Sequence, residues 1–344
     1  VTSAQSGCTL ALREEFFVTT DDLVRQATVN TLLDDAVELA SSLQQNLNAV
    51  VLGTPGAVVA ATTAVLAAGH LLIEDVPGVG KTMLAKAVAV SIGTRLARIQ
   101  GHPDLLPSDI TGVSIFSATS DTWDFRPGPV FAHVVLFDEL NRTPPRSQAA
   151  LLEAMEERQV TVDGESWPLP EPHLVLATQN PVDQAGTFPL VESQMDRFLL
   201  ATRVGYPDEA TEATLALSHG AQPSLSALSP VCTPAGLASA QSAVAGLAVA
   251  PAVARYGVAV VRATRSDPLI RLGASPRATI GLLAAARAHA VICGRDFVIP
   301  DDVKAVASNV LAHRLVTDAS PVGAFDAGIS LIEAILERVP SPRP

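Results

Sequence analysis

The stretch His70-Leu71-Leu72-Ile73-Glu74-Asp75-Val76-Pro77-Gly78-Val79-Gly80-Lys81-Thr82 decides the fold. Its apolar half reads as a buried strand and its Pro/Gly half as a tight loop; Met83–Ile92 beyond it has helical spacing. Strand, glycine loop and a Lys-Thr pair opening a helix together make a phosphate cradle, because N–H groups and a helix N-terminus converge there. The expected nucleotide-binding residues are therefore Val76, Pro77, Gly78, Val79, Gly80, Lys81, Thr82 and Met83. Lys81 would reach the β- and γ-phosphate oxygens of ATP, and the Thr82 hydroxyl would join the Mg²⁺ shell. The formal motif begins with glycine where this chain has Asp75.

A second element supports the first. Val134-Val135-Leu136-Phe137-Asp138-Glu139 is an apolar strand ending in two carboxylates. Asp138 is placed to hold Mg²⁺ through water, and Glu139 to polarise the water that attacks the γ-phosphate.

Working outward, the bulk numbers bound the class. With 344 residues the chain is long enough for about two domains. Thirty-five acidic side chains outnumber 23 basic ones, giving a net charge of −12, which argues against a nucleic-acid motor. Cys8, Cys232 and Cys293 are far apart and odd in number, so neither a disulfide framework nor a zinc ribbon is expected. The first residues lack a basic segment followed by an apolar one, which predicts a cytoplasmic protein. The apolar run Gly56–Ile73 is divided by Gly69 and His70 into a helix and a strand, each too short to span a membrane.

The organisation expected is an α/β core followed by a helical lid. Residues 1–40 form an N-terminal extension, aperiodic and mobile to about residue 20 and helical from Asp22 to about Leu47. Residues 41–205 form the core, with strands at 70–74, 95–100, 133–137, 173–178 and 198–204 alternating with helices, the pattern of a parallel sheet. Residues 206–344 form a separate helical domain without convincing strands, its helices near 208–219, 234–246, 251–265, 276–293, 301–314 and 322–338. Inside the core, Gln159–Trp167 alternates around Asp163-Gly164 and reads as a projecting hairpin. Phe125–Val130 reads as an inserted loop.

Three further residues look placed for chemistry, each with an ordinary alternative. Asn180, ending the strand that leads into Gln179-Asn180-Pro181, would orient the attacking water or simply make an Asn-Pro turn. Arg277 follows Ser275-Pro276, a helix cap and first-turn proline, so its cation opposes the helix dipole. It needs an anion, either a γ-phosphate or a local carboxylate. Arg197 would stabilise charge on a transferring phosphoryl group or pair with a nearby carboxylate. The seven histidines show no metal-binding spacing, so no metal beyond nucleotide-bound Mg²⁺ is expected.

From about residue 48 to 335 the chain resembles the MoxR ATPases of the AAA+ superfamily. The likeness is carried by Pro103–Gly112, Phe125–Pro129, Asp138–Arg142, Ala149–Gly164, Ala177–Pro181 and Gly273–Arg277. It implies Walker A at Asp75–Thr82, Walker B at Asp138 and Glu139, sensor 1 at Asn180, an arginine finger at Arg197 and sensor 2 at Arg277. It also implies that the segments near 113–130 and 160–170 are inserts facing the pore of a hexameric ring. A chaperone-like role in protein maturation or cofactor insertion is implied too, with a partner carrying a von Willebrand factor A domain. The chain departs from the family pattern at Gly101-His102, Phe137 and Gly53–Gly56.

The expectation is thus an Mg²⁺-dependent, homo-oligomeric ATPase that remodels proteins, with neither nucleic acid nor membrane insertion. Two alternatives stay open: a magnesium-chelatase-like motor subunit and a monomeric P-loop kinase using Glu139 on a metabolite hydroxyl.

Overall fold

The computed structural model describes residues 20–119, 121–181, 186–217, 225–318 and 323–342. The mobile segment expected before residue 20 lies outside them.

Five strands make the central sheet: β1 (Leu71–Glu74), β2 (Leu96–Gln100), β3 (Val134–Asp138), β4 (Leu174–Gln179) and β5 (Leu200–Thr202). They are the five read from the sequence. Their order is β2-β3-β4-β1-β5, with every neighbouring pair parallel. Each residue of β1 and β3 is buried, as in a sheet covered on both faces. Alternate side chains serve opposite cores. Leu71 and Ile73 of β1 join Leu136 of β3 in one cluster; Leu72 joins Val135 and Phe137 in the other. The bulky Phe137 is fully buried there.

The helix Thr20–Val50 packs on Lys81–Ser91 and on Pro234–Ala245, extending beyond the span expected for it. Helices at Glu209–Leu217, Pro234–Ala245, Pro251–Thr264, Pro276–Ile292, Pro300–Leu311 and Ala324–Arg338 follow the sheet. Among them run two short ladders, where the sequence showed no convincing strands. Ala248–Val249 pairs in parallel with Phe297–Val298, and Ile270–Leu272 pairs antiparallel with Val316–Thr317. Strands of two or three residues carry too little alternation to be read.

The run Gly56–Ile73 divides as expected, into the helix Pro55–Leu66 and β1. Among the described residues no helix is long and apolar enough to cross a membrane.

Two hairpins leave the core. Gln159–Val162 pairs with Glu165–Pro168 around Asp163 and Gly164, at φ 52° and 83°, the two left-handed positions of a two-residue turn. Gly112–Ser117 pairs with Thr122–Pro127. Phe125 through Pro127 is therefore strand rather than loop; Pro127-Gly128-Pro129 hid an edge that pairs only with residues about a dozen positions upstream. Phe125 stacks on Trp167 with centroids 4.6 Å apart, joining the hairpins, while Trp123 is 70% exposed.

Candidate active site

The site lies at the carboxyl ends of β1, β3 and β4. After β1 the chain turns through Gly78 and Gly80, at φ 89° and 96°, into the helix Lys81–Ser91. No atom lies within 4 Å of where a Cβ would stand on either glycine, so left-handed backbone, not crowding, calls for glycine. The Lys81 ammonium bends back onto the loop, donating to the carbonyls of Asp75 at 2.7 Å and Val76 at 3.1 Å. Burial lowers its pKa, against the opposing pull of Asp75, Asp138 and Glu139.

Asp75, the departure from the motif, has a structural task. Its buried carboxylate accepts the N–H of Val76 at 2.8 Å on one oxygen, and those of Val204 and Gly205 at 2.8 and 2.7 Å on the other. The phosphate loop is thereby pinned to the chain leaving β5.

β3 delivers the two carboxylates. Register pairs Gln100 of β2 with Asp138, and the Asp138 carbonyl accepts the N–H of Gly101 at 2.7 Å. Glu139 adopts the left-handed conformation at φ 56°. Gly101 has to be glycine, because a Cβ there would stand 2.2 Å from the Glu139 carbonyl oxygen. Thr178 of β4 secures the turn, accepting the Glu139 N–H at 2.9 Å and donating to Asp138 Oδ1 at 3.4 Å.

Pro77, Gly78, Lys81, Asp138, Glu139, Thr178 and Asn180 meet around a cleft of about 180 Å³, which Arg98 and Gln100 also line. The fold thus brings the expected phosphate-binding loop, both carboxylates and Asn180 together. The Asn180 carbonyl accepts from Asn141 Nδ2 at 3.1 Å. The Asp138 carboxylate and the Thr82 hydroxyl on the helix's first turn are hard oxygen donors of the type Mg²⁺ takes, so the residues fit that ion.

Arg197 and Arg277 are not among the residues lining this cleft; the structure brings them to each other. Glu156, at the end of the helix Pro145–Glu157, accepts Arg197 Nε on Oε2 and Arg277 Nη1 on Oε1, both at 2.7 Å. A local carboxylate partner, the alternative weighed for each arginine, is what the fold supplies. Residues beside them in the chain, Asp196 and Ser275, are tied together as well. Ser275 caps the helix Pro276–Ile292, accepting the Ala278 N–H at 3.2 Å, and its hydroxyl donates to Asp196 at 2.9 Å. The nearly buried Arg314 donates to the other Asp196 oxygen at 2.6 Å.

Arg98, Gln100, Thr178 and Glu156 were missed in the sequence, since each matters through a partner distant along the chain. A local motif signals none of them. The fold also assembles His289, Cys293 and Asp302 with ligand-type atoms within 4.8 Å, where spacing showed no metal cluster. Arg295 holds both Asp302 oxygens, so that carboxylate is already engaged by a cation.

Comparison with known proteins identifies the surroundings of this site. Residues 70–200 match the family model for ATPases associated with various cellular activities (AAA), and residues 262–332 match an AAA lid domain. The chain is 45% identical over 283 residues to the protein YeaC of Bacillus subtilis, covering 82% of this chain and 88% of that one. To Chaperone MoxR1 of Mycobacterium tuberculosis it is 40% identical, covering 81% and 76%. To Protein MoxR of Methylorubrum extorquens it is 30% identical, covering 91% and 98%. A crystal structure of a protein from Cytophaga hutchinsonii superposes with a TM-score of 0.82 at 32% identity, covering 93% of this chain and all of that one.

Proposed function

Because this chain belongs to the MoxR family of AAA+ ATPases, we propose that it hydrolyses ATP at sites completed between subunits of a homo-oligomeric ring, a hexamer by the family likeness. Hydrolysis itself is the activity of the family. In our reading Lys81 and the loop Val76–Met83 bind the phosphates, Glu139 polarises the attacking water, and Asn180 orients it. Asp138 and Thr82 would hold Mg²⁺, which when bound would offset phosphate charge.

One observation carries the intersubunit part. Lys81, Asp138, Glu139 and Asn180 share a cleft, whereas Arg197 and Arg277 are clipped together on Glu156 outside its lining. Two arginines presented as a unit away from their own cleft suit a neighbour's nucleotide, where they stabilise charge on the transferring phosphoryl group.

The division into residues 1–40, 41–205 and 206–344 belongs to this reading, with the Asp196–Arg314 pair coupling core to lid. So does the use of the force: chaperone-like remodelling in the cytoplasm, in protein maturation or cofactor insertion, with a von Willebrand factor A domain partner. The name of the mycobacterial relative supports a chaperone role. The two aromatic hairpins are the elements offered to a client.

The test is steady-state ATP turnover of wild type, Glu139→Gln, Arg197→Ala and an equal mixture of the two variants. Each variant alone is nearly inactive. The mixture regains activity, because an Arg197→Ala cleft meets a neighbour's intact Arg197. Variants that co-assemble yet stay inactive would put Arg197 to work within its own subunit.

A further inference from the structure

Asp138 already has a cation. Arg98 Nε donates to its Oδ2 at 2.7 Å, from a side chain 54% exposed to a carboxylate 8% exposed. The same guanidinium is aligned by a second bond, Nη2 to Gln100 Oε1 at 3.1 Å. Arg98 and Gln100 lie two apart on β2, so both point to one side of the strand. That side is the cleft, which both line together with Lys81, Pro77 and Gly78.

This placement gives Arg98 two anions within one small space. One is Asp138, and the other is any phosphate held by the loop. A guanidinium is suited to either, since its planar fork bonds carboxylate and phosphate oxygens alike. Mg²⁺ and the guanidinium, however, compete for one carboxylate, and their like charges cannot share it without cost.

We propose that Arg98 is a nucleotide-binding residue that exchanges partners, passing from Asp138 to a phosphate oxygen of the bound nucleotide as Asp138 turns to Mg²⁺. Arg98 then has two effects. With Mg²⁺ present it supplies a phosphate contact; without Mg²⁺ it stays on Asp138 and keeps that carboxylate from repelling the phosphates. The proposal rests on reading Asp138 as the Mg²⁺-facing carboxylate.

Equilibrium binding of a methylanthraniloyl-labelled ATP, in excess Mg²⁺ and in EDTA, separates these effects. Arg98→Ala should weaken binding about tenfold in Mg²⁺, the scale of one charge-assisted contact. In EDTA, where wild-type Arg98 stays on Asp138, the loss should reach about a hundredfold from the unshielded carboxylate. Arg98→Lys should recover much of the EDTA loss, since it keeps the charge and guards against a variant that merely folds badly. In an Asp138→Asn background the extra EDTA loss should vanish.

A loss confined to the Mg²⁺ arm would mean that Arg98 only shapes Asp138 for the metal, and would overturn the exchange. Wild-type binding by Arg98→Ala in both arms overturns it as well. Lys81→Ala tells that failure apart from failure of the nucleotide-site reading. If Lys81→Ala binds as tightly as wild type, the phosphate loop is not the site and both ideas fall. If it loses binding while Arg98→Ala does not, only the exchange falls.

Discussion

Asp75 Oδ2 accepts the N–H of Gly205 at 2.7 Å, joining the first residue of the phosphate loop to the chain that leaves the sheet. The same carboxylate serves Val204 and Val76, so one side chain satisfies three backbone donors. A glycine here would leave all three to water or to nothing. Asp75→Ala is expected to lower the unfolding free energy by about 2–4 kcal/mol, the scale of buried donors left unmade. Asp75→Asn keeps an acceptor but turns an NH₂ group toward a donor, and should lose about half as much. Urea denaturation midpoints measure both; two variants equal to wild type would show that the clamp is idle.

Glu156 joins residues far apart in sequence, Arg197 and Arg277, at a place where all three side chains are part-exposed. Ion pairs of that exposure add little stability, below about 1 kcal/mol, so Glu156→Gln should unfold almost as wild type does. Its effect should fall on turnover. With both arginines released from a common anchor, positioning is lost and ATP hydrolysis should drop about tenfold or more. Equal turnover in Glu156→Gln and wild type would mean that the arginines find their target without it.

This contrast marks what the sequence discloses. Most of the core strands were legible as compact apolar runs, and the phosphate loop because its chemistry is confined to consecutive residues. Arg98, Gln100 and Glu156 were not. Their partners are supplied by parallel register and by helix packing, and no periodicity encodes a contact between positions 156, 197 and 277. The exposed cation at the start of the helix Pro276–Ile292 did disclose that Arg277 needs an anion, though not which one.

The surroundings of Gly101 call for glycine. A Cβ would lie 2.2 Å from the Glu139 carbonyl and 2.7 Å from Thr143 Oγ1. Backbone cannot swing aside as a side-chain end can, so Gly101→Ala must displace the turn that aims Glu139. An unfolding free energy lower by about 1–3 kcal/mol is expected. ATP turnover should fall about a hundredfold, as for a misplaced catalytic group. Gly56 provides the opposite sign. It lies in the helix Pro55–Leu66 with no atom within 4 Å of its would-be Cβ, so Gly56→Ala should stabilise by up to about 1 kcal/mol.

Acid should weaken the fold through buried histidines, among them His70 and His173, which precede β1 and β4. Burial, aided by the neighbouring His173, pushes the His70 pKa down to about 3, and burial pushes that of His173 down to about 4. The reason is visible in the bonding of His70. Nδ1 accepts the Val175 N–H at 3.1 Å, which leaves Nε2 to donate to the Met155 carbonyl at 3.2 Å, and a second proton would have to point at a donor. Both groups are neutral in the native state at a pH where the unfolded chain, with ordinary histidine near 6.5, already binds protons. The unfolded state therefore gains protons first, and stability falls as pH drops below about 6.5, levelling only near the native values. Each histidine contributes up to about 1.4 kcal/mol per pH unit across that window. The urea midpoint should thus decline between pH 7.5 and pH 5.5, before most carboxylates titrate. His70→Gln, which retains an acceptor and a donor without a titrating proton, should make the decline shallower. An unchanged slope in that variant would place the acid sensitivity elsewhere in the molecule.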